Sequence, residues 1–251
     1  DHRGISFMER YHHLGSLAPR DIISRSIHSE LLKSSHSSVY IDLSAIDKTY
    51  LRNRFPNINT RLLDSGLDMT QEPIPVVPAA HYICGGIHTD MAGNTNIINL
   101  SAIGETACTG LHGANRIAST SLLECLVMGN HAATQHIHEI NSTGNFHLPA
   151  VKPWEMPDVK ADEELISQDL NLIRNTMWNY VGLVRTAKRL SRATSLLREL
   201  KNEVDVFYAD TEVSVRLLTL RNAIQSALLV AYAALQNRNS SGCHYRNDAL
   251  D

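Results

Sequence analysis

Between residues 165 and 235 apolar side chains recur at every third or fourth position, and that period leaves few folds open to the end of this chain. Leu165, Ile166, Leu170, Ile173, Met177, Tyr180, Val181 and Val184 mark one face over about five helical turns. Residues 190–206 and 213–235 repeat the pattern. Successive amphipathic helices can bury their stripes only against one another, so a small three-helix bundle is expected.

The chain ahead of this region is of another kind. Residues 139–163 are rich in Asn, Gly, Pro and charge and read as a linker. Before it, short strands and helices mix, so the chain as a whole is α+β. Ile5, Phe7 and Met8 suggest a hairpin edge. Pro19 and Asp21 open an amphipathic helix that carries Ile22, Ile23, Ile27, Leu31 and Leu32, with Arg20 at its first position, where a positive charge opposes the helix dipole unless an anion is near. Residues 39–43 alternate as a strand, and 50–55 and 60–67 read as helix around a break at Pro56. Residues 72–82 contain three prolines, which exclude helix and central strand but stiffen an extended chain. That segment delivers His81 just ahead of Cys84-Gly85-Gly86, where paired glycines permit a planar ligand to approach the backbone. Gly93-Asn94 is a hairpin signal between residues 87–90 and 95–100.

Residues 101–128, SAIGETACTGLHGANRIASTSLLECLVM, hold the densest chemistry. Residues 100–103 read as a strand stopped by Gly104, which puts Glu105 at a strand's carboxyl end, where open α/β sheets place ligands. The following loop carries Arg116, a forked donor suited to a carboxylate. Ser119, Thr120 and Ser121 are N-cap candidates for a helix bearing Leu122, Leu123, Leu126 and Val127, expected to end near His138. Its first N–H groups would face an anion or an electron-rich ring.

Composition excludes several classes. With 23 Lys and Arg against 26 Asp and Glu, the net charge of −3 offers no basic surplus for nucleic acid or an anionic membrane. No run of about 18 apolar residues is evident, and no signal-peptide pattern opens the chain, so a cytoplasmic protein is expected. Cys84, Cys108, Cys125 and Cys243 have no CxxC spacing, and His131, His136 and His138 lack an HExxH frame, so no metal site is expected. Arg185, Lys188, Arg189 and Arg192 form a basic cluster, read as a solvated face or a lid over an anion.

The motifs together resemble a known family. LAPRD at 17–21, AHYICGG at 80–86, the 102–127 segment and MWNYVGLVRTAKRL at 177–190 are similar to the L-aspartate oxidases, relatives of the succinate dehydrogenase and fumarate reductase flavoproteins. The resemblance runs from about Gly4 to about Tyr245. It implies the end of a capping domain over residues 1–82, the last part of an FAD-binding α/β domain over 83–146, and a helical bundle domain over 152–251. No GxGxxG stands among the 13 glycines, so the N-terminal FAD-binding half is expected to be missing.

The resemblance also implies roles. Arg20 would be the catalytic proton-transfer residue, His81 and Arg116 would hold substrate carboxylates, and Glu105, Ser121 and Leu122 would contact FAD. The implied reaction converts L-aspartate, or another C4 dicarboxylate, to its oxidised product with oxygen or fumarate as acceptor, feeding quinolinate and NAD synthesis. Quinolinate synthase is a further implied partner. A succinate or fumarate flavoprotein and an inactive remnant are the alternatives. Thr120 stands where the family has Asn, and Ser241 where it has Arg.

Overall fold

The computed structural model describes residues 1–143 and 150–248. The chain gathers into two compact units, Asp1–His81 and Tyr82–Asp251.

In the first unit the expected helix forms as α1 (Arg20–Ser34), with Pro19 at its N-cap and Ser35 closing it in the left-handed region at φ 56°. Ile22, Ile23, Ile27 and Leu31 pack on Phe7, Met8, Ala18 and Val39. Leu32 is exposed, because one residue past Leu31 is a third of a turn off the stripe. Met8 lies in a 3₁₀ turn, Met8–Arg10, and not in a hairpin edge; the N–H groups of Tyr11 and His12 both close onto its carbonyl. β1 (Val39–Ile41) pairs antiparallel with β2 (Ile74–Val76), Tyr40 opposite Pro75. In a sheet of two strands each strand is an edge, so Pro75 is tolerated. α2 (Lys48–Arg54) is capped by the Asp47 carboxylate, and Pro56 opens α3 (Pro56–Asp64), where its missing N–H costs nothing.

The second unit opens with a parallel pair, β3 (Ile87–His88) and β4 (Ala107–Cys108). The strand expected over 100–103 is displaced to β4. Residues 100–102 instead fold back on 93–95, through Ala102 N–H to the Gly93 carbonyl (2.9 Å) and Thr95 N–H to the Leu100 carbonyl (3.2 Å). The hairpin turn is displaced too: the Asp90 carboxylate accepts from the N–H groups of Ala92 and Asn94, winding residues 90–94 into a tight turn, and the reversal falls at 96–99. A 3₁₀ turn, Gly104–Thr106, then leads into β4.

α4 (Ser121–Thr143) continues past the expected end at His138. Of the expected linker, residues 144–149 lie outside the described residues, and 150–162 carry neither helix nor strand. α5 (Glu163–Val181), α6 (Ala187–Asp210) and α7 (Val215–Gln236) then pack on one another around Ile166, Ile173, Leu190, Leu197, Leu220 and Ile224. Asp162, Thr186 and Ser214 cap them, each accepting first-turn N–H bonds. By length and composition α7 could cross a bilayer. Leu217, Leu220, Ile224, Ala227, Ala231 and Ala234 are buried against the other two helices, which makes it the core helix of this cluster. In the basic cluster, Lys188, Arg189 and Arg192 are exposed, whereas Arg185 is half-buried.

Residues 237–248 return along the start of α6. Arg185 N–H donates to the Tyr245 carbonyl (3.0 Å), and Asn247 N–H donates to that of Arg185 (2.9 Å). The Arg185 guanidinium donates to His244 Nδ1 (2.7 Å), while Nε2 of the same ring donates to the Asn237 carbonyl (3.0 Å). The ring is therefore neutral. Burial holds its pKa below the ordinary value, opposed by the Asn237 carbonyl and assisted by the charges of Arg185 and Arg246. A base whose folded pKa is lowered adds stability that is complete above its unfolded value, about 6.5, and is lost as pH falls through the folded one. Thermal melts are thus expected to decline from pH 7.5 to pH 5 less steeply in His244→Asn than in the parent; equal slopes would refute this role.

Candidate functional site

The Ile83 peptide is held from both sides. Its N–H donates to Glu105 Oε1 at 2.8 Å, and its carbonyl accepts from Arg116 Nη1 at 3.1 Å. Local geometry makes this possible: Gly86 brings its backbone so close to the Thr106 carbonyl that a Cβ there would lie 2.3 Å from the oxygen. Residues 83–86 are thereby seated on the Glu105 turn.

Arg116 sits at the middle of the cluster. Nε donates to Ser121 Oγ at 2.7 Å, and Nη2 lies 3.5 Å from Glu124 Oε2. Ser121 is the first residue of α4 and Glu124 lies in its first turn, so the arginine ties the loop to the helix start. Thr120, just ahead, uses its hydroxyl on the Ile117 carbonyl (2.9 Å). Glu124 also accepts from the Thr109 hydroxyl (2.7 Å) and from His112 Nε2 (2.8 Å). Because His112 Nδ1 accepts the Ile117 N–H (3.2 Å), the ring proton is on Nε2. Burial raises the Glu124 pKa, but bonds from Thr109 and His112 and the charge of Arg116 outweigh it, and the carboxyl stays below its ordinary value.

The structure thus brings Glu105, Arg116 and Ser121 into one bonded group through Ile83. Leu122 adjoins Ser121 and is 77% exposed. Arg20, exposed at the start of α1, and His81, exposed at the close of the first unit, belong to the other compact unit. Sequence reasoning missed Thr109, His112 and Glu124. A histidine between two glycines and a glutamate inside the first helical turn were the available signal, hidden because His112 and Glu124 meet only across the loop.

The helix that carries Ser121 is inside out. Leu122, Leu123, Leu126 and Val127 are each 60% exposed or more, while Glu124 on the inner side is buried. A parallel pair with no further strand beside it among the described residues is equally atypical, since parallel sheets are covered on both faces.

Comparison with known proteins fits this picture. Residues 1–122 match the FAD binding domain model, and 171–251 match the model of the fumarate reductase flavoprotein C-terminus. The chain is similar to a quinol fumarate reductase structure from E. coli, at TM-score 0.77 and 27% identity, over 98% of this chain and 48% of that one. These matches put it in the succinate dehydrogenase and fumarate reductase flavoprotein superfamily. It is 46% identical to L-aspartate oxidase 1 of Ralstonia nicotianae over 98% of its length, and 38% identical to the chloroplastic L-aspartate oxidase of Arabidopsis thaliana over 96%. Within the superfamily the chain belongs to the L-aspartate oxidases. It spans 46% of the Ralstonia protein and 40% of the Arabidopsis one, about half the length of the relatives it matches.

Proposed function

We propose that this chain provides the C-terminal part of an FAD-dependent enzyme that oxidises L-aspartate to iminoaspartate, for quinolinate and NAD synthesis, in the cytoplasm. The observation that carries this reading is the bonded group around Ile83 and Arg116, built from the same motifs in which the chain resembles L-aspartate oxidases. Residues 1–82 would end a capping domain, 83–146 the FAD-binding domain, and 152–251 the bundle domain. The remaining FAD-binding half would cover the apolar face of α4 and extend the strand pair. Iminoaspartate would pass to quinolinate synthase.

The residues present fit a flavin. The first-turn N–H groups of α4 at Ser121, Leu122 and Leu123 have no acceptor within the helix, and Glu105 Oε2 makes no hydrogen bond among the described residues. Bound FAD would supply the two-electron acceptor, while the positive end of α4 favours negative charge beside it. Glu105 would accept from a sugar-like hydroxyl. Arg116, with three of its five N–H groups bonded within the protein, keeps the others for a carboxylate. His81 would hold the second carboxylate. Arg20 would move the proton, a role that a guanidinium, a donor with no free lone pair to accept with, fills only through a relay.

The test is a chimera that joins the N-terminal half of the Ralstonia relative to this chain, assayed for peroxide and for fumarate reduction. L-Aspartate is expected to be oxidised with flavin bound, and succinate poorly. A flavin-loaded chimera that prefers succinate would instead support a succinate or fumarate flavoprotein, the reading favoured by the fumarate reductase fold likeness. A loaded chimera that turns over neither overturns both.

A further inference from the structure

A guanidinium meant for a substrate must be kept charged and aimed although it is buried. The Arg116 side chain is 4% exposed and that of Glu124 3%. Glu124 is the carboxylate within ion-pair reach of it among the described residues. A buried charge without such a partner is strongly disfavoured, so Glu124 is the reason Arg116 can be buried and charged together.

How Glu124 divides its bonds is informative. Its short contacts go to Thr109 (2.7 Å) and His112 (2.8 Å), both on the loop, and its contact with Arg116 is long, 3.5 Å. Arg116 is gripped firmly elsewhere, through Nε on Ser121. At 3.5 Å the carboxylate neutralises the guanidinium through a long bond to one Nη2 proton and leaves the other Nη2 proton to a stronger acceptor. The loop bonds keep Glu124 from swinging closer and consuming that edge.

We propose that Glu124, fixed by Thr109 and His112, is the positioning residue of the site: it holds Arg116 buried, charged and oriented so that its Nη edge takes a C4 dicarboxylate. The proposal rests on the reading above that Arg116 binds a carboxylate. It adds residues to which the sequence pattern gave no role.

The test uses the flavin-loaded chimera with L-aspartate. Glu124→Gln is expected to raise KM about tenfold or more, with a much smaller fall in kcat. Glu124→Asp, which keeps the charge, is expected to recover part of that KM. Adding Glu124→Gln to Arg116→Gln is expected to change KM little further. If Arg116→Gln leaves KM unchanged, the carboxylate role of Arg116 fails and the proposal with it. If Arg116→Gln raises KM while Glu124→Gln does not, Glu124 alone is overturned. Should Glu124→Gln not fold, Thr109→Val serves, with KM expected to rise several-fold and kcat to hold within about twofold; an unchanged KM counts against the proposal. In this chain alone, the Arg116 Nε–H is expected to give a slowly exchanging guanidinium N–H signal that Glu124→Gln abolishes or shifts, and an unaltered signal overturns the proposal independently of catalysis.

Discussion

Gly86→Ala is expected to remove about 3 kcal/mol of stability and to free the Ile83 amide to exchange with solvent. Two costs combine. At φ 132° the backbone is in a region that side-chain-bearing residues rarely adopt, and the new Cβ would meet the Thr106 carbonyl oxygen at 2.3 Å. The obstacle is backbone, so relief requires β3 to part from β4. Thr106 follows Glu105 directly, and a shift there lengthens the 2.8 Å bond from Ile83 N–H. Stability in urea and hydrogen exchange at Ile83 should therefore change together. A variant within about 0.5 kcal/mol of the parent, with Ile83 still protected, would refute the account.

The contrast between units of sequence that could and could not be read has physical causes. The three long helices were legible because their stripes repeat over many turns and Asp162, Thr186 and Ser214 mark their starts. The α1 helix was legible except at Leu32, which the period itself places off the stripe. Strands failed where pairing is non-local. Residues 100–103 are apolar enough for a strand, but two carbonyls and two N–H groups across the 93–102 turn had already claimed their backbone. Arg116 and Ser121 were legible as single residues, since a forked cation in a glycine-bearing loop and a hydroxyl at a helix start each announce a chemistry. Glu124 was not, because its meaning lies in Thr109 and His112, which it meets only after the loop closes.

The α4 surface shows the same limit from the other side. The sequence places Leu122, Leu123, Leu126 and Val127 on a capped helix, and in the structure all four are exposed. Spacing locates an apolar face; it does not say which neighbour covers it. Within the second unit α4 turns Glu124, Met128 and Ala132 inward. The proposed FAD-binding half gives the outward face its reason.

Gly242→Ala is expected to cost about 2–4 kcal/mol and to loosen the Arg116 loop from a position 126 residues downstream of it in sequence. The turn at Ser241–His244 lies directly on that loop: Cys243 N–H donates to the Ala114 carbonyl at 2.9 Å, and Cys243 Sγ lies 3.3 Å from Asn115 Oδ1. Gly242, left-handed at φ 52°, makes the approach possible, for a Cβ there would lie 2.4 Å from the Ala114 oxygen and 2.7 Å from its carbon. Alanine must either push the turn away, breaking the Cys243 bond, or displace residues 114–116 with the guanidinium at their end. Cys243→Ala separates these effects, since it keeps the backbone bond and removes what the sulfur contributes, and it is expected to cost under about 0.5 kcal/mol. Denaturation of both variants, with exchange at the Cys243 amide, decides the matter. Equal small losses would mean that the C-terminal turn is a passive surface. A large loss in Gly242→Ala alone, with Cys243 deprotected, would show that the Ser241–His244 turn braces the loop whose arginine the proposed chemistry depends on.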